Sequence, residues 1–349
     1  LIGYASLYPF TEWRDQGIVP WAFLWAPLPK YWTGFDVVSN ALGYVPAGFL
    51  LALTAWRTGR GRRAIWLATL ACGILSLAME TLQSYLPARV PSNLDFALNF
   101  LGGWSGAIAA SWMETLGAID HWSRLRARWF IAEARGALVL LALWPVALLF
   151  PAAVPLGLGQ VLERMEAELA HLLGNTPFLD WLPVRDMELQ PLVPGAEFLC
   201  VLLGALIPCL VAYCIVRSVA RRAVFAMLTL LVGVAATGLS AALSYGPQHA
   251  WDWIHPPVLV GLSLAPVLAI VMAWVPRRVC AALAMLAMGA YLSLLNQAPV
   301  DPYFSMTLQT WEQGRFIRFH GLAQWLGWLW PYAALVYLLS RIGGQDQKN

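Results

Sequence analysis

Apolar runs of roughly twenty residues recur along this chain of 349 residues, and short segments between them carry most of its charge. That repetition leaves few folds open. A helix of this length crosses the hydrocarbon core of a bilayer, and within lipid only helices and closed barrels satisfy their own backbone. The runs are too long for barrel strands, so the chain reads as all-α, a polytopic transmembrane helix bundle. Nine complete spans are predicted, at about 37–56, 62–83, 94–115, 136–157, 196–216, 223–244, 256–275, 279–297 and 320–340. Composition agrees: 60% of the residues are hydrophobic, 12% are charged and the mean hydropathy is +0.63. Soluble domains carry about 25% charged residues, and a soluble chain of this size has no core large enough to hide so much apolar surface.

The connections alternate in charge. One set holds Arg57, Arg60, Arg62 and Arg63; Arg124, Arg126, Arg128 and Arg135; Arg217, Arg221 and Arg222; Arg277 and Arg278; then Arg341 and Lys348. The intervening, longer segments hold only Arg14, Lys30, Arg89, Arg164, Arg185, Arg315 and Arg318. The positive-inside rule places the first set in the cytoplasm, as expected for a multi-pass protein of a bacterial inner membrane. Span 37–56 then runs inward, and residues 1–8 read as the end of a truncated N-terminal span. The intact protein would have ten spans and both termini cytoplasmic. A cleaved signal peptide is the alternative.

Polar residues interrupt the first three runs. Asp36 and Asn40 are four apart, as are Asp95 and Asn99, and Ser76, Glu80 and Gln83 follow an i, i+4, i+7 pattern. Each set therefore shares one helix face. The alternating directions of the spans bring all three sets to the outer end. The short loop 84–93 makes two of the spans neighbours and places Arg89 within reach of Glu80 and Asp95. Gly102, Gly103 and Gly106 allow close helix approach, and Pro46 removes a helix hydrogen bond mid-span. Ionisable groups at membrane depth are costly and mark functional sites by default. Asp36, Asn40, Glu80, Gln83, Arg89, Asp95 and Asn99 are thus the candidate ligand-binding residues, with Ser76 beside them. Helix caps and an interfacial ion pair that only fixes the bundle are the competing explanation.

These residues also carry a pattern. DVVSNALGYVPAGFL (36–50), SLAMETLQSYLPAR (76–89) and DFALNFLGGWSG (95–106) resemble the VanZ-like family. The family shows Asp-x3-Asn followed by Pro-x-Gly-Phe, then Glu-x2-Gln before Pro-x-Arg, then Asp-x3-Asn-x2-Gly. Ala47 stands where Leu is commoner. The resemblance covers roughly residues 1–115, read as a VanZ-like membrane domain; residues 116–349 read as an additional transmembrane bundle. It implies an envelope membrane protein, and the family's namesake is associated with low-level resistance to the glycopeptide teicoplanin.

Elsewhere, residues 160–173 space Val161, Leu162, Met165, Leu169 and Leu172 as one apolar helix face. Their acidic neighbours Glu163, Glu166 and Glu168 favour packing on the protein over binding to anionic lipid. A weak echo of Asp36-x3-Asn40 recurs as His320-x3-Gln324, making His320 and Gln324 secondary candidates. His249, Asp252 and His255 have poor spacing for a metal, so no metal site is expected. Cys72, Cys200, Cys209, Cys214 and Cys280 lie in apolar runs and read as free thiols. No cofactor motif appears, and no basic tail or motif points to nucleic acid. The expected partners are membrane lipids, among them a polyisoprenyl-linked peptidoglycan or polysaccharide intermediate. Two other functional classes stay open: an accessory protein whose polar cluster locks helices together, and a membrane-embedded enzyme using a carboxylate base or a carboxylate-held cation.

Overall fold

The computed structural model describes residues 2–8, 10, 12–32, 34–174, 176–181, 189–299 and 317–343. Among them the chain is helical and carries no strand beyond one isolated bridge between Phe130 and Val216. It divides into two compact units, Leu1–Arg126 and Ala127–Asn349.

The first unit contains α1 (Ile2–Leu7), a 3-10 turn (Ala22–Trp25), α2 (Gly34–Arg57), α3 (Arg63–Gln83) and α4 (Asn93–Thr115). A further helix, α5 (Ala118–Trp129), runs across the boundary. α2 and α4 pack backbone against backbone. A Cβ added to Gly102 would sit 2.0 Å from the Ala41 carbonyl oxygen; one at Gly106, 2.1 Å from the Val45 oxygen; one at Gly48, 2.0 Å from the Gly103 oxygen. Glycine is required at all three, because real Cβ atoms never come that close to a carbonyl. On its other side Gly103 rests against the Cys72 side chain of α3. α2 continues through Pro46, which lies on its exposed face.

The second unit is built around α8 (Pro194–Tyr213), nearly all of which is buried from Cys200 onward. Around it stand α6 (Arg135–Ala147), α9 (Val219–Tyr245), α10 (Pro256–Met272), α11 (Arg277–Leu295) and α12 (Ile317–Gly343), with α7 (Leu162–Leu173) outside the core. Buried Arg222 donates to the carbonyls of Ala273 and Val275 at 3.0 and 2.6 Å, satisfying the C-terminal end of α10.

Among the described residues, five helices are long and apolar enough to cross a membrane: Asp36–Arg57, Arg63–Gln83, Pro194–Tyr213, Val219–Tyr245 and Arg277–Leu295. α4 has the length, at 23 residues, but Asn99, its glycines and its serines lower its hydropathy. α10 is only 17 residues long. The expected span 136–157 is corrected. Its helix stops at Ala147, and buried, non-helical chain follows through Gln160. Pro151, Pro155 and the glycines at 157 and 159 explain the break. Irregular backbone at membrane depth is tolerated only where protein covers and satisfies it. Here the Tyr291 hydroxyl donates to the Leu156 carbonyl at 2.8 Å and accepts from the Leu158 N–H. Gly159 N–H donates to the Gly327 carbonyl at 2.8 Å, and Asn296 accepts from Val161 N–H at 3.2 Å. Tyr291→Phe should therefore cost about 2 kcal/mol, because it orphans two buried backbone groups while leaving the ring in place. A denaturation midpoint in detergent that matches the wild type would contradict this role.

α7 forms where the apolar spacing predicts it, but its packing differs from expectation. None of its residues is buried, and Leu162, Met165, Leu169 and Leu172 are exposed. The face expected to lie on the protein is open.

Candidate functional site

The polar residues of the first unit gather at one end of it. α2 and α4 begin there and α3 ends there, so each helix delivers its polar set to the same level. The Asn40 side-chain amide donates to Asp95 Oδ1 at 2.8 Å, joining α2 to α4. One turn deeper, the Asn99 amide donates to Ser76 Oγ at 3.0 Å, joining α4 to α3. Glu80 is only 2% exposed, and its Oε2 accepts the Ser92 backbone N–H at 2.8 Å. Asp95 and Arg89 both lie within electrostatic reach of it.

α4 starts here because Ser92 caps it. Its hydroxyl accepts the Asp95 N–H at 3.3 Å, while Asp95 occupies the first turn, where a carboxylate suits the helix dipole. Asp36 holds the matching first-turn place in α2. Exposure separates the members. Asp36, Asn40 and Asp95 are half-buried, whereas Glu80, Asn99 and Ser76 are buried behind them. A molecule approaching from outside meets the first three.

Arg89 and Gln83 also serve backbone that their spacing does not reveal. Arg89 donates from Nε to the Tyr8 carbonyl and from Nη2 to the Ala5 carbonyl, both at 2.9 Å. Gln83 donates to the Ser6 carbonyl at 3.0 Å. Together they satisfy the C-terminal carbonyls of α1 and fasten the start of the chain to the α3–α4 connection. Gln324 lies half-buried in α12 of the second unit, and the His320 side chain lies outside the described residues. His249 pairs with Asp252 at 2.7 Å, and His255 with Glu197 at 2.7 Å, so the histidines of that loop are divided between two carboxylates. Among the described residues, no three His, Cys, Asp or Glu side chains form a metal-holding group.

Two participants escape the spacing argument. Tyr44 is buried, and its hydroxyl lies against Ser76 without reaching hydrogen-bond geometry. Ser92 supplies both the cap and the donor to Glu80. The signal for Ser92 was present, because Ser-x-x-Asp ahead of an apolar run marks a capped helix start. An apolar face gives no comparable signal for Tyr44.

Parallel apolar helices clasped at glycine, with carboxylates and amides collected at one end, define a membrane-embedded helical module with a polar terminus. Residues 2–114 match the VanZ/LLP1 family, so this segment is VanZ-like. No curated protein and no solved structure matches the chain.

Proposed function

We propose that the VanZ-like unit binds the headgroup of a lipid-linked envelope intermediate, of the peptidoglycan or polysaccharide type, in a bacterial inner membrane. The carrying observation is the half-buried set Asp36, Asn40 and Asp95 at the end of membrane-length helices, braced from behind by Glu80. Carboxylate and amide oxygens accept hydrogen bonds from hydroxyl and ammonium groups. A glycan or amino-bearing headgroup suits them better than a bare phosphate, since Arg89 already serves the α1 carbonyls. Basic residues cluster in the turn at the opposite end of α2 and α3, and the positive-inside rule then directs the polar end outward.

A second reading has its own support. The Asn99–Ser76 bond is wholly buried, as a helix-locking contact would be. Asp95→Asn separates the two. It keeps an oxygen to accept from Asn40 and removes only the charge. In cells lacking the native protein, the binding reading expects Asp95→Asn to lose protection against teicoplanin or envelope stress at wild-type abundance. Full protection by this variant would favour helix locking.

A further inference from the structure

Residues 12–32 precede α2 and form an irregular segment tied down along one side. Arg14 N–H donates to the Tyr85 carbonyl at 3.0 Å, and the Gln16 amide to the Ser84 carbonyl at 2.7 Å. The Asn93 amide donates to the Ala26 carbonyl at 2.6 Å, and the Phe23 ring is buried. These anchors all fall on the α3–α4 connection or beside it, at the polar end of the unit. The outward side of the same segment is aromatic and bare: Trp25 is 77% exposed, Leu28 70%, Tyr31 94% and Trp32 62%, with Trp21 also exposed. Between Gly17 and Thr33 the only charge is Lys30.

A segment so firmly fastened does not present large apolar side chains to water without a partner for them. Its place selects the partner. α3 ends at Gln83 and α4 starts at Asn93, so the connection between them marks where membrane-length helices leave the apolar layer. Tryptophan and tyrosine favour that boundary, with the ring body in the acyl region and its polar atom among headgroups. Lys30 adds a cation whose stem can lie on apolar surface while its charge stays in the headgroup layer.

We propose that residues 21–32 form an aromatic lip that lies in the bilayer interface beside the polar end of the unit, with lipid as the partner of Trp25, Leu28, Tyr31 and Trp32. The lip joins the polar residues to the leaflet rather than to bulk water, so an amphiphile would reach them sideways, with its tail still in lipid. The inference rests on α2 and α3 spanning a bilayer, not on any ligand at Asp36 or Asp95.

The test uses the full chain in phosphatidylcholine–phosphatidylglycerol vesicles, in a Cys214→Ser background because the other four cysteines are buried. Bimane is attached at Trp25→Cys, at Tyr31→Cys, and at Arg60→Cys in the exposed turn between α2 and α3. The lip predicts quenching at positions 25 and 31 by nitroxide-bearing lipid that is several-fold stronger than by aqueous iodide, with the reverse preference at position 60. Iodide quenching at 25 and 31 equal to that at 60 would overturn it, as would shielding from both quenchers, which would mean that protein covers the segment. Trp25 and Tyr31 are exposed, so both substitutions leave the fold intact, and helical circular dichroism checks this.

Discussion

Gly102→Ala is expected to disrupt the first unit while leaving the second folded. The added methyl would lie 2.0 Å from the Ala41 carbonyl oxygen, and the obstacle is helix backbone, not a side chain that can swing aside. Overpacking of a tight core costs about 3 kcal/mol at the upper end of its usual range, and here relief requires α2 and α4 to separate. Separation would also pull Asn40 from Asp95. Cys72 reports the outcome: it is buried against Gly103 and is the one cysteine of this unit. Its labelling by a thiol reagent, read by peptide mass, should rise steeply in Gly102→Ala while the buried Cys200, Cys209 and Cys280 of the second unit stay protected. Gly43→Ala, on the facing helix α2, is the control. Nothing lies within 4 Å of its added Cβ, so it should be neutral or slightly stabilising, as alanine in a helix usually is. Equal protection of Cys72 in both variants would mean that the glycine contacts do not hold the unit together.

Arg89→Ala is expected to release the start of the chain. Two charge-assisted hydrogen bonds to the Tyr8 and Ala5 carbonyls disappear, each worth about 1.5–3 kcal/mol. A loss of about 3 kcal/mol in local stability is roughly a hundredfold faster hydrogen exchange in residues 2–8. The remaining Gln83–Ser6 bond is a neutral one and does not compensate. Exchange through α2 and α4 should change little, because their clasp lies elsewhere. Unchanged exchange at residues 2–8 would show that Arg89 serves another partner.

Much of this architecture was legible in the residues. Periodic apolar runs gave the helices, and three- and four-residue spacing placed Asp36 with Asn40, Glu80 with Gln83, and Asp95 with Asn99. Alternating direction brought them to one end. Spacing could not say which polar groups satisfy one another, since that depends on backbones meeting at glycine. The short 84–93 loop puts Arg89 within reach of Glu80, as the fold does, but spacing does not show that its guanidinium also serves the carbonyls of α1. The break after Ala147 was missed for a related reason. Hydropathy reads 148–157 as continuous with the helix before it, and only tertiary partners such as Tyr291 make a non-helical course affordable. The open face of α7 follows the same logic: amphipathic spacing shows that a face exists, not what covers it.

Under the proposed function, the half-buried carboxylates of the VanZ-like unit hold an amphiphile's headgroup. Lipid mass spectrometry of the protein purified from its native membrane tests this most directly, with wild type compared to Asp95→Asn at equal folded yield. The claim predicts a polyisoprenyl-linked species with the wild type, depleted about tenfold in Asp95→Asn, as expected for losing roughly 1.4 kcal/mol of headgroup contact. The same lipids in both preparations, or bulk phospholipid alone in both, would contradict it.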